Sequence, residues 1–149
     1  MVEEVKKLME YRYLGRTGLK ISLFSYGNYI NSNNQEAQQL TTDSIKKCLE
    51  YGVNFFDTAE FYGYGQAETQ MGLAFKELNV KREDIVVATK IFWHPGVNGI
   101  GLSRKHIIEG TKNSLKRLQL SYVDILFAHR PDYTVPLEET CRAFSWLID

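Results

Sequence analysis

Ile85-Val86-Val87-Ala88-Thr89-Lys90 is the stretch on which the fold of this chain turns: five β-branched or small residues in a row, closed by a single charge. Alternating apolar and polar residues would mark a strand with one wet face. A continuous run of this kind marks a strand buried on both faces, as in a parallel sheet covered by helices. The pattern recurs on either side, as Val53-Asn54-Phe55-Phe56 before Asp57 and as Val123-Asp124-Ile125-Leu126-Phe127-Ala128 before His129. A helical period follows each run. Ala67, Met71, Ala74, Phe75 and Leu78 are spaced for one face of a helix. Ser103 suits the N-cap of a second helix running to Leu118, with Ile107, Ile108, Thr111, Leu115 and Leu118 turned inward. Pro136 suits the first position of a third.

Upstream, Ile21 to Gly27 is expected as an earlier strand and Thr41 to Tyr51 as its helix, stopped at Gly52. Tyr11 to Leu14 and Leu19 to Ser22 flank Arg16-Thr17-Gly18, a turn signal for a small β-hairpin. The expectation is therefore an α/β fold of the (βα)8 TIM-barrel type, represented by about its first four βα units after the hairpin. Residues 1–10 read as a charged, weakly amphipathic arm and 11–149 as one domain. A complete barrel usually takes about 250 residues. With 149 residues, the outer strands are expected to be covered by a partner, by self-association, or by more chain than this sequence contains.

The 18 basic and 18 acidic residues cancel, and 44% of the chain is hydrophobic, the profile of a soluble globular protein rather than a nucleic-acid binder. No apolar run is long enough to span a membrane. Cys48 and Cys141 fall in helical patterns without metal-like spacing, and nothing at the N-terminus reads as a signal peptide. A reducing cytoplasm is the expected location.

Asp57, Lys90 and His129 each sit at a strand's C-terminal end, and Tyr62 lies in the loop after the first of these strands. In parallel α/β barrels the reacting groups lie at those ends, so the four are candidates for one site. Reduction of a carbonyl by hydride transfer requires a proton donor at the oxygen, and an unassisted phenol, with a pKa near about 10, is a poor one at neutral pH. A lysine charge about 4 Å away, at an effective dielectric of about 20, stabilises the phenolate by roughly 4 kcal/mol before desolvation. Lys90 can supply that charge to Tyr62. Asp57 would keep Lys90 charged and in place, and His129 can donate a hydrogen bond to the substrate oxygen. Taken singly each has a plainer explanation, since nine tyrosines are present and most must simply pack. Other chemistries fit less well. Ser25-Tyr26-Gly27-Asn28-Tyr29 is no Gly-x-Gly-x-x-Gly or phosphate loop. His94, His106 and His129 are too scattered for a catalytic metal.

Phe56-Asp57-Thr58-Ala59-Glu60-Phe61-Tyr62-Gly63 and Thr89-Lys90-Ile91-Phe92-Trp93 resemble the aldo-keto reductase family. Within it, Gly101-Leu102-Ser103-Arg104-Lys105-His106-Ile107-Ile108-Glu109-Gly110 and Arg117-Leu118-Gln119-Leu120 resemble the β subunits of voltage-gated potassium channels. The likeness runs from about Tyr11 to the last residue. It implies an NADP(H)-dependent oxidoreductase acting on carbonyl or alcohol groups, with Tyr62 as proton donor and Asp57, Lys90 and His129 completing a tetrad. Cofactor contacts are implied at Asn28, Tyr29, Gln35, Asp57 and His129, and a substrate wall at Trp93. The partners implied are a small carbonyl substrate and a potassium channel or other protein assembly. Two departures stand out. The channel subunits carry asparagine where His129 stands, which aligns this chain with the active reductases. The family's glycine-rich turn with Thr-Trp is replaced by Ser25-Tyr26-Gly27-Asn28-Tyr29.

Overall fold

A computed structural model describes residues 9–29 and 35–149; most of the arm expected at 1–10 lies outside the described residues. Two short strands, β1 (Tyr11–Tyr13) and β2 (Lys20–Ser22), pair antiparallel as the expected hairpin. Thr17 fixes its turn: the backbone N–H and the hydroxyl donate to the Leu14 carbonyl at 3.1 and 2.8 Å, and the hydroxyl accepts from the Leu19 N–H at 3.2 Å.

Strands and helices then alternate: β3 (Ser25–Gly27), α1 (Gln35–Glu50), β4 (Phe55–Asp57), α2 (Gln66–Glu77), β5 (Val86–Ile91), α3 (Arg104–Leu118), β6 (Ile125–Ala128) and α4 (Leu137–Ile148). The four later strands form one parallel sheet in the order β3-β4-β5-β6, with β3 and β6 outermost. Ser103 caps α3 as expected, its hydroxyl accepting from the His106 N–H at 3.1 Å. Gly52, with φ 80°, follows the end of α1 in a left-handed conformation that favours glycine. Among the described residues no helix is long and apolar enough to cross a membrane.

Three expectations are corrected. The single strand expected over Ile21 to Gly27 is two, β2 and β3, separated by a bend at Leu23-Phe24. Ser22 makes the bend: its hydroxyl donates to the Phe24 carbonyl at 2.6 Å, its N–H donates to Asn54 Oδ1 at 2.7 Å, and the Asn54 N–H donates back to Ser22 Oγ at 3.1 Å. Asn54, the one polar residue in its run, thus pins the hairpin to the sheet instead of extending β4. Helix α1 starts at Gln35 rather than Thr41, because its polar first turns carry little apolar period. On α3 the buried face is His106, Ile107, Gly110, Thr111, Ser114 and Leu118, while Ile108 and Leu115 are only half-buried.

The strand register sorts side chains onto two faces. Phe55, Asp57, Ala88, Lys90 and Phe127 share the open face; Tyr26, Phe56, Val87, Thr89 and Ile91 face the helices. On the helix side Phe56 stands edge-on to Phe75 (5.3 Å) and Tyr26 (6.3 Å), within a core completed by Ile45, Met71, Val87 and Leu118. Helices α2 and α3 approach so closely that a Cβ at Gly72 would lie 2.4 Å from the Leu118 carbonyl oxygen. Glu68, fully buried between them, accepts from the Thr89 hydroxyl and from Arg117 Nε, each at 2.6 Å. Such a pair holds only because both carboxylate oxygens are satisfied.

Candidate active site

The loop after β4 continues alongside β5: the Thr58 N–H donates to the Ala88 carbonyl (3.0 Å) and the Glu60 N–H to the Lys90 carbonyl (3.1 Å). This carries Tyr62 to the top of the sheet, where it opens a 3-10 turn over Tyr62–Gly65. Gly63, Tyr64 and Gly65 are all left-handed there, with φ 56°, 54° and 90°. Tyr64, the one residue of the three with a side chain, is braced edge-on by Phe61 at 5.0 Å. Asp57 ends β4. Lys90 does not follow β5, as expected from the sequence, but lies inside it, because Ile91 still pairs with Ala128. His129 follows β6 and donates its N–H to the Ile91 carbonyl at 3.1 Å.

These residues converge. Lys90 Nζ donates to Asp57 Oδ2 at 2.6 Å, to the Thr58 carbonyl at 2.7 Å and to the Tyr62 hydroxyl oxygen at 3.1 Å. An ammonium has three N–H bonds, and all three are engaged. Because the Tyr62 oxygen accepts from Lys90, its own proton is directed elsewhere. The Lys90 and Asp57 side chains are 15% and 29% exposed, so the pair is partly shielded without being sealed from a ligand.

His129 stands edge-on to Tyr62 (ring centroids 5.8 Å) and to Trp93 (5.0 Å). Burial lowers its pKa below the ordinary histidine range, and the nearby Lys90 and Arg130 charges lower it further. The ring is therefore neutral at neutral pH and carries one N–H. Its Nδ1 is buried without a hydrogen-bond partner among the described residues. Trp93 also lies 6.3 Å from Phe61 and under the Arg130 guanidinium at 5.7 Å. Below this rim an open cleft of about 430 Å³ runs down the open face of the sheet, lined by Ser25, Gly27, Phe55, Asp57, Lys90, Phe127, Ala128 and His129.

Asp57, Tyr62, Lys90, His129 and Trp93 thus come together, and Tyr29, exposed at the mouth, touches Tyr62 edge-on at 4.8 Å. Asn28 does not join them: fully buried, it donates Nδ2 to the Ala67 carbonyl at 2.6 Å and ties the end of β3 to α2. The Gln35 side chain lies outside the described residues. Sequence reading missed the lower cleft residues Ser25, Gly27, Phe55 and Phe127. The signal for them was the two-residue period of each strand, counted back from Asp57 and His129.

The aldo/keto reductase family matches residues 23–149. A protein of Arabidopsis thaliana described as a probable voltage-gated potassium channel subunit beta is 52% identical over 142 residues, covering 95% of this chain and 43% of that protein. The crystal structure of a thermostable aldo-keto reductase with the inhibitor epalrestat superposes with a TM-score of 0.81 at 31% identity, covering 94% of this chain and 50% of that one. An aldo-keto reductase from Bacillus halodurans, in its holo form, gives 0.79 at 33% identity, covering 93% and 46%. The chain spans less than half the length of the curated relatives it matches. The expected fold class is borne out: an α/β fold with a parallel sheet, matching aldo-keto reductase barrels over about half their length.

Proposed function

This chain belongs to the aldo/keto reductase family, and from that premise we propose that its cleft serves the NADP(H)-dependent reduction of aldehydes or ketones, with Tyr62 as the proton donor. The observation that carries this reading is the Lys90 ammonium, which gives its three N–H bonds to Asp57, Thr58 and Tyr62. With the lysine bonded to its oxygen, Tyr62 can release its hydroxyl proton to a carbonyl oxygen while the positive charge stabilises the phenolate left behind. Asp57 holds the Lys90 ammonium in place. Neutral His129 donates its single N–H to the same carbonyl oxygen without adding a second positive charge beside Lys90.

The donor set fits a nicotinamide cofactor. The unpartnered buried Nδ1 of His129 and the Asp57 carboxylate supply polar partners. Phe55 and Phe127 supply flat apolar walls, and Gly27 adds no bulk. Tyr29, Asp57 and His129 would hold the ring, with Asn28 acting indirectly through the backbone of α2. When bound, the cofactor supplies the hydride. Trp93 and His129, in edge contact, would bound the substrate side. Free Cys48 and Cys141 suit a reducing cytoplasm. In this reading the outer strands β3 and β6 are covered by a second copy, a partner protein or further chain.

Replacing Tyr62 by Phe should lower turnover by about 10²–10⁴-fold while leaving cofactor affinity in place. Titration with NADPH, followed by its fluorescence with NADH for comparison, measures that affinity. Full turnover in Tyr62→Phe would remove the assignment.

A second reading follows from the 52% identity to a potassium channel subunit beta: the chain takes part in a channel-associated regulatory protein. Capture by the cytoplasmic domain of such a channel supports it, and failure of the assembled protein to bind counts against it.

A further inference from the structure

Glu60 lies between the reacting residues, three positions after Asp57 and two before Tyr62, and is 1% exposed. Its Oε1 accepts a short hydrogen bond from the Phe92 N–H and stands 3.0 Å from Nε2 of His106, which is 5% exposed in the first turn of α3. Phe92 is the first residue past β5 and directly precedes Trp93, so Glu60 supplies an acceptor just where the strand's own pairing stops. Oε2 is buried with no hydrogen-bond partner among the described residues. It occupies space that Gly110 leaves open: a Cβ there would lie 3.0 Å from Oε2 and 3.2 Å from Ile91 Cγ2.

A buried carboxylate with one idle oxygen is a poor stabilising device, because an apolar group of similar volume packs as well or better. What the carboxylate provides is fixed geometry. Its backbone bonds to Lys90, its side chain to Phe92 and His106, and Tyr62 follows it in the same loop. We propose that Glu60 is a positioning residue of the reduction site, whose shared Oε1 sets the Tyr62 loop against Trp93, and that His106 on α3 acts through it.

The significance for turnover rests on the reductase reading; the geometric claim does not. The chain has two tryptophans, so a Trp146→Phe background leaves Trp93 as the sole reporter. In that background His106→Leu removes the donor to Glu60, and His106→Gln restores an amide donor of similar reach. Glu60→Ala is the companion variant. For His106→Leu, Trp93 should become more open to acrylamide quenching, and kcat should fall between about tenfold and a hundredfold with KM for NADPH little changed. His106→Gln should recover both, and Glu60→Ala with His106→Leu together should be no worse than Glu60→Ala alone.

Unchanged Trp93 quenching in folded His106→Leu overturns the proposal. So does a general loss of melting temperature in His106→Leu and Glu60→Ala alike, with neither a selective Trp93 response nor rescue by His106→Gln, which would make the pair a stability element. Absence of turnover in the parent protein counts against the reductase reading, while the Trp93 measurements still decide the positioning claim.

Discussion

Phe55 and Phe56 are neighbours in the chain, and the pleat of β4 sends them to opposite faces of the sheet. Phe56 is fully buried against Phe75 and Tyr26 among the helices. Phe55 is half-buried and lines the cleft, opposite Ser25 of β3. The alternation repeats one strand over, where Thr89 turns to the helices and gives its hydroxyl to Glu68, while Lys90 turns to the cleft and gives its ammonium to Asp57 and Tyr62. The helix side is closed by its own side chains. The cleft side keeps Phe55 partly open and Phe127 exposed, and that difference separates the side that stabilises the chain from the side that, in the reading proposed above, takes a ligand.

The widest separation should appear between the two phenylalanines. Phe56→Ala opens a cavity in a close-packed core and should destabilise by about 3–5 kcal/mol. Phe55→Ala removes a side chain already partly open to solvent and should cost less than about 2 kcal/mol. Urea unfolding of both variants checks the pair, and equal losses would mean that the cleft side is as closed as the helix side. Next in size is Gly72→Ala. Its new methyl would press on the Leu118 carbonyl oxygen, 2.4 Å away, and force α2 from α3 at a cost of about 1–3 kcal/mol. A neutral or stabilising result would show that these two helices slide apart easily.

The same two faces explain what could be read in advance. Ile85 to Lys90 announced a doubly buried strand because five apolar or small residues run together before its one charge, and the positions of Asp57 and His129 followed from strand ends, whereas Lys90 lies inside β5 because Ile91 still pairs. Asn54 and Ser22 were opaque, because their reciprocal bonds join residues 32 apart and leave no periodic trace. Asn28 was expected as a cofactor contact from the family resemblance; the bond of its Nδ2 to the Ala67 carbonyl, 39 residues away, left no trace in the sequence. Glu60 and His106 could not be paired from sequence at a separation of 46 residues. What the chain encodes by period was legible; what it encodes by a single long-range polar contact was not.

The smallest effect sharpens the comparison most directly, since it concerns His129 in the cleft wall. The folded-state pKa of His129 is lowered from 6.5, first by burial and then by the Lys90 and Arg130 charges, with Asp57 and Glu60 opposing weakly. Well above pH 6.5 the ring is neutral in both states and contributes no pH dependence. As the pH falls below that value, the unfolded chain takes up the proton first, so stability falls until the folded-state pKa is reached and is then level. Replacing His129 by Gln removes this uptake. The drop in melting temperature between about pH 7.5 and pH 5.5 should therefore be smaller in His129→Gln than in the parent. An identical drop in both would mean that solvent reaches His129 as freely as it does in the unfolded chain, and that the upper cleft is as open as the mouth at Tyr29.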